Sequence, residues 1–309
     1  MKILVIGAGA VGGYFGGMLV KGGEVVTFVA RGKYLDSLKT AGLRIRSHEG
    51  DLSLNVHAVR NPEEAGEVDL ILMCVKSYDT KASTLQCMRN IGNNTVVLSL
   101  QNGVDNEEII GEIAGRDRVL GGVVLIASEL NESWEILHYY AGKIIMGELD
   151  GNISDRARTI SDMFNRANIP CSLSRDIKKK LWEKLIWNAG FNSVSTITRS
   201  TLQEMFACPE AKALIRLTME EVVAVAGGIG HVIDKSVIEN YFREPERSRE
   251  MRTSTLQDLL KSKPLEIDAI NGVVVTKGDE LGIPTPCNST LYALLKLIER
   301  KSPGAEPEP

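Results

Sequence analysis

The chain has 309 residues, 43% hydrophobic and 25% charged, with a formal net charge of −4. That length predicts about two domains, each able to bury a core, and an acidic balance without a long basic run argues against nucleic acid or an anionic membrane as partner. Apolar runs stay far below the roughly 18 residues that span a bilayer, so no membrane role is expected. The apolar start breaks into glycines too early for a secretory signal. Cys74, Cys87, Cys171, Cys208 and Cys287 form no CxxC pair. This predicts neither a zinc site nor a disulfide framework, and a reduced cytoplasmic setting.

Glycine is unevenly spread: eight of the 29 fall in the first 23 residues. They have an order. Lys2–Ile6 reads as a buried strand and runs into Gly7-Ala8-Gly9-Ala10-Val11-Gly12, a G-x-G-x-x-G loop. A helix over Tyr14–Val20 and a strand over Glu24–Ala30 follow. That context predicts a dinucleotide site. Gly7 suits a tight turn, Gly9 a close approach of backbone to pyrophosphate, and Gly12 close packing of helix on strand. The second strand ends in Arg31, without the acid that grips the ribose hydroxyls of NAD. An arginine there can pair with a 2′-phosphate, which favours NADP(H); Lys33 is a second candidate contact.

Strands over Asp69–Val75 and Thr95–Leu100 end in Lys76 and in Gln101-Asn102-Gly103. Ligands of open α/β sheets bind beyond the carboxyl ends of strands. Lys76 and Asn102 therefore fall on the expected rim of the cofactor site, although Asn-Gly is also a common turn pair. Arg118–Ala127 and Lys143–Glu148 read as later strands, with Trp134 and Tyr139 between them.

After Gly151 the pattern becomes helical: 154–168, 175–198, 209–227, 234–242, 266–281 and 290–300. The expected architecture is α/β, a Rossmann-type doubly wound sheet over 1–170 followed by an all-α domain over 171–302. The tail 303–309 reads as disordered. Within the long helix, Lys184, Asn188 and Asn192 are spaced by four, so an α-helix puts them within about 80° on one face. Apolar residues flank them, and Asn is a poor helix former. Either they form a solvated stripe or they carry a hydrogen-bonding task. Further on, Ser254 opens S-T-L-Q-D, and Glu266 lies in L-E-I-D, where it could simply be an acid complementing a helix dipole.

Taken together, the residues resemble the ketopantoate reductases (2-dehydropantoate 2-reductases) from Met1 to about Arg300. The marks are GAGAVGG at 7–13, Arg31, CVKSYDT at 74–80, SLQNGV at 99–104, WEKLIWNAGFN at 182–192, and STLQD with LEID at 254–268. The resemblance implies an NADPH-dependent oxidoreductase that reduces the C2 ketone of 2-dehydropantoate to (R)-pantoate for pantothenate biosynthesis. It implies that Lys76 and Asn102 place nicotinamide and substrate, that Lys184 is the catalytic acid, and that Asn188 and Asn192 grip the substrate. Ser254 would bind its carboxylate and Glu266, the second catalytic residue, its hydroxyl. Two positions depart from the family pattern: Leu202 and Met251 stand where asparagines often line the substrate site. The alternatives are a reductase of another small 2-oxo or 3-hydroxy acid, or a catalytically silent NADP-binding sensor. No metal is called for, the only small-molecule partner expected is the 2-oxo acid, and the apolar helical half leaves room for a homodimer contact.

Overall fold

A computed structural model describes residues 1–243 and 252–301. The expected disordered tail and Met251 lie outside the described residues. The chain divides into two compact units, residues 1–101 with 105–180, and residues 102–104 with 181–309.

The first unit is built on one sheet. Its strands in chain order are β1 (Lys2–Ile6), β2 (Val25–Val29), β3 (Leu43–Ser47), β4 (Leu52–Leu54), β5 (His57–Val59), β6 (Val68–Met73), β7 (Ile91–Ser99), β8 (Val119–Leu130), β9 (Glu135–Glu148) and β10 (Cys171–Leu173). The spatial order is β4-β3-β9-β8-β7-β6-β1-β2-β5, with β10 also on β9. From β5 through β8 every pairing is parallel. That run is the doubly wound nucleotide-binding order, with its switch point between β1 and β6. Continuous apolar runs explain it: Ile3–Val5 and Leu70–Met73 are fully buried, as strands covered on both faces must be.

Helices α1 (Ala10–Lys21), α2 (Gly32–Ala41), α3 (Thr80–Gln86), α4 (Asn106–Ala114) and α5 (Asp155–Arg166) belong to this unit. The short strands β3, β4, β5 and β10 carry too few apolar residues to show in the sequence pattern. Strand β9 is longer than expected, because Ile136–Ala141 also pairs antiparallel with β8, through two register shifts that blur the alternation. Residues 171–180, which the sequence pattern gives to the helical half, sit in the first unit because β10 extends its sheet.

Helix α6 (Ile177–Trp187) crosses the unit boundary and leads into the second unit. The expected helix over 175–198 is not one α-helix. It opens into a π turn at Asn188–Asn192 before α7 (Ser193–Thr198). Then come α8 (Leu202–Ala207), α9 (Pro209–Gly228), α10 (Ser236–Phe242) and α11 (Ser254–Leu260). A second π turn, Asp268–Gly272, precedes α12 (Val273–Leu281), and α13 (Pro286–Lys301) ends the described chain. The core of this unit gathers Leu185, Ile186, Phe191, Ile215, Met219 and Val222 around α9. Among the described residues no helix is long and apolar enough to cross a membrane.

Candidate active site

The nucleotide end is shaped by three glycines of the first unit. Gly7 leaves β1 with φ +93°, and a Cβ there would lie 2.8 Å from the carbonyl carbon of Cys74. Both conformation and space demand glycine. At Gly12 a Cβ would lie 2.2 Å from the Gly7 carbonyl oxygen and 2.9 Å from Val5 Cγ1, so α1 lies directly on β1. At Gly9, the N-cap of α1, a Cβ would meet nothing within 4 Å. The loop is therefore open at the one glycine whose backbone a pyrophosphate must approach. Helix α1 has no side-chain cap, and the N–H groups of Ala10, Val11 and Gly12 have no carbonyl partner within their own helix. Such an end attracts an anion. Ala8 N–H donates to the Val29 carbonyl at 3.4 Å, tying the loop to the end of β2.

Arg31 follows β2 as the exposed N-cap of α2. One of its nitrogens donates to Gln86 Oε1 at 3.3 Å, which leaves most of its five donors for other acceptors. Lys33 is exposed on the same helix. Lys76 is half-buried just beyond β6, where it opens the short 3₁₀ turn Ser77–Asp79. Buried Gln101 holds that exit in place, its Nε2 donating to the Val75 carbonyl at 3.0 Å and to Thr80 Oγ1 at 2.7 Å.

The second unit assembles the other candidates. Lys184 is half-buried in the last turn of α6, flanked by Leu181, Trp182, Leu185 and Ile186, all at most 4% exposed. Asn188 and Asn192 are buried in the π turn, so they are not a solvated stripe. Within that turn Asn192 Nδ2 donates to Asn188 Oδ1 at 3.4 Å. Ser254 is the exposed first residue of α11, behind the N-cap Thr253, and α11 packs against the same π turn. Glu266 is 5% exposed, and its Oε2 accepts from Asn102 Nδ2 at 3.1 Å across 164 residues of sequence. It is thus a buried acceptor, and it stands directly before the helical run that opens at Ile267. Leu202 is buried in the helical core beside Phe191 and Met205.

The unit therefore brings a lysine, three amides and a carboxylate onto contiguous elements. A lysine can protonate an oxygen, the amides can donate to and accept from a small polar molecule, and the carboxylate can accept from a hydroxyl. Among the described residues no three His, Cys, Asp or Glu side chains gather as a metal site would need.

Two family models match the chain: ketopantoate reductase PanE/ApbA over residues 3–151, and its C-terminal counterpart over residues 176–299. The chain belongs to the ketopantoate reductase family. With that it falls among oxidoreductases acting on CH–OH groups. A 2-dehydropantoate 2-reductase of Archaeoglobus fulgidus is 33% identical over 298 residues, covering 96% of this chain and 98% of the relative. The crystal structure of a 2-dehydropantoate 2-reductase from Geobacter metallireducens superposes with TM-score 0.92 at 32% identity, covering 96% of this chain and 99% of that one. An uncharacterized oxidoreductase of Bacillus subtilis, YkpB, is 29% identical over 97% of this chain and 99% of its own length. The candidates Lys184, Asn188 and Asn192 form one line at four-residue spacing along the helical unit. Sequence reasoning missed the buried amides behind that line, Asn271 and Asn288, although a mid-helix asparagine was the signal that singled out Asn188.

Proposed function

We propose that the protein is a cytoplasmic NADPH-dependent 2-dehydropantoate 2-reductase that forms (R)-pantoate for pantothenate biosynthesis. The observation that carries this reading is the second unit's polar set: the Asn102–Glu266 hydrogen bond, the paired amides of Asn188 and Asn192, and Lys184 one helical turn before them. When bound, the nicotinamide supplies a hydride for the C2 ketone. The Gly7–Gly12 loop and the α1 N-terminus hold the pyrophosphate, Arg31 pairs with the 2′-phosphate, and Lys76 and Asn102 orient the nicotinamide end. Lys184 protonates the ketone oxygen as negative charge builds there. Asn188 and Asn192 hold the substrate, Ser254 binds its carboxylate, and Glu266 accepts from its hydroxyl. In this reading the first unit serves the nucleotide and the second the substrate. Homodimer contact through the apolar helical half is part of the same proposal.

One observation favours a second substrate. Leu202 is 3% exposed within the apolar core, at a position where the family pattern often has an asparagine for the substrate. A site with fewer amides would suit another small 2-oxo acid. The deciding assay follows NADPH oxidation with 2-dehydropantoate beside pyruvate, 2-oxoisovalerate and 2-oxopantolactone. The proposal expects turnover to be fastest with 2-dehydropantoate. No turnover of it, with turnover of another, replaces the substrate but keeps the reductase.

A further inference from the structure

We propose that Asn271 is a positioning residue for substrate binding, acting through the π turn that carries Asn188 and Asn192. The proposal rests on the reductase reading above. Asn271 is fully buried within the second π turn. Its Nδ2 donates to the Ala189 carbonyl at 3.3 Å, inside the first π turn, and its Oδ1 accepts the hydroxyl of Ser193, the residue that ends that turn. One side chain thus holds both ends of the wide turn. Such turns are rare in an otherwise α-helical run and need outside support. Relaxation to α geometry would wind the segment tighter and turn Asn192 around the axis relative to Asn188, which would re-aim both amides.

The direction of every bond in this network is set from Glu221. Its carboxylate only accepts. It takes the N–H groups of Cys287 and Asn288 at 2.8 and 2.9 Å, where α13 begins. It also takes Asn288 Nδ2 at 2.7 Å, and the same nitrogen donates to the Thr218 carbonyl at 3.1 Å. That leaves Asn288 Oδ1 to face Asn271, whose Nδ2 reaches it at 3.0 Å. Both amides are therefore locked in one orientation. Reversing either would set acceptor against acceptor, which a buried network tolerates poorly. An aspartate at 271 keeps the shape but turns the two-hydrogen donor into an acceptor facing Asn288 Oδ1 and the Ala189 carbonyl.

The test compares wild type, Asn271→Asp, Asn188→Ala and the double variant in the full chain. Readouts are Tm, NADPH Kd by fluorescence, and kcat and KM for 2-dehydropantoate and other 2-oxo acids. Asn271→Asp is expected to lower kcat/KM for the substrate by about 10- to 100-fold, the usual cost of misplacing a substrate-holding group, with NADPH Kd unchanged. The double variant should lose clearly less than the product of the two single losses, since part of the effect of Asn271 passes through Asn188. Should Asn271→Asp fail to fold, Ser193→Ala removes only the hydroxyl contact. It should cost about 2- to 10-fold, the span of one hydrogen bond, with the same non-additivity. An active wild type with unchanged substrate kinetics in the variants, or losses that multiply in the double variant, overturns the positioning role alone. A wild type that turns over no 2-oxo acid overturns the reductase reading and this proposal with it.

Discussion

Glu107→Gln should stabilise the first unit, and more so as pH rises. Glu107 sits in the first turn of α4 and is 3% exposed, and neither carboxyl oxygen has a partner in good hydrogen-bond geometry, with only its own N–H and Ser99 nearby as weak donors. Burial pushes its pKa up to about 7 from 4.5. Asp105 and Glu108 push the same way, while its own backbone N–H and Ser99 oppose the shift. The unfolded chain ionises this group from about pH 4.5 upward, whereas the folded chain keeps the proton until about pH 7. The folded state therefore binds more protons across that window, and wild type loses stability through it as pH rises. At roughly 1.4 kcal/mol per pH unit, the penalty is under about 1 kcal/mol at pH 5 and about 3 kcal/mol at pH 8.

The glutamine amide does not titrate, so any difference in burying it is a constant. The growth of about 2 to 3 kcal/mol in the variant's advantage between pH 5 and pH 8 is the signature. Urea unfolding of both proteins at pH 5, 6, 7 and 8 measures it, and thermal melts should show the gap widening by roughly 5–10 °C. A wild type–variant gap that is the same at every pH would refute the reasoning, because Glu107 would then ionise alike in both states.

Lys184→Ala should lower kcat by at least about 100-fold, the scale of general acid catalysis, and an active variant would remove Lys184 from that role. Arg31→Asp should raise KM for NADPH far more than for NADH, whereas equal effects would make Arg31 a plain surface residue. Gly12→Ala forces a methyl to 2.2 Å from the Gly7 carbonyl oxygen. It should cost about 1–3 kcal/mol of stability and weaken NADPH binding in a fluorescence titration; unchanged binding would mean that α1 can lift from β1 freely.

The first unit was legible because its signals are local. A buried parallel strand is a run of apolar residues, and a nucleotide turn is a glycine pattern directly after one. What the sequence hid is the set of short strands β3, β4, β5 and β10, and for β3, β5 and β10 the pairing also depends on partners distant in sequence. Ser47 pairs opposite His138 and Cys171 opposite Ile144, and three to five residues do not establish a period. The candidate site was legible residue by residue but not as a geometry. Nothing near Glu266 announces Asn102 as its partner, since a hydrogen bond between residues 164 apart follows only from the folded chain.

The spacing of Asn188 and Asn192 singles out a pair that is hydrogen-bonded in the folded chain, although the segment is not an α-helix. Four-residue spacing points to one face of an α-helix, whereas the segment is a π turn in which the two amides also meet. Composition marks it better than period. Each π turn contains glycine and asparagine in mid-helix, Gly190 with Asn188 and Asn192, and Gly272 with Asn271. Both are poor α-helix formers, so the α alternative loses little there. The glycines also have a packing reason: a Cβ on Gly190 would lie 2.9 Å from Met219 Cε, and one on Gly272 3.0 Å from a Tyr292 ring carbon. Close packing holds each turn against its neighbour while the asparagines supply the hydrogen bonds. Two weak helical stretches in sequence thus become turns held by close packing and buried hydrogen bonds, and the candidate substrate-holding amides stand on one of them.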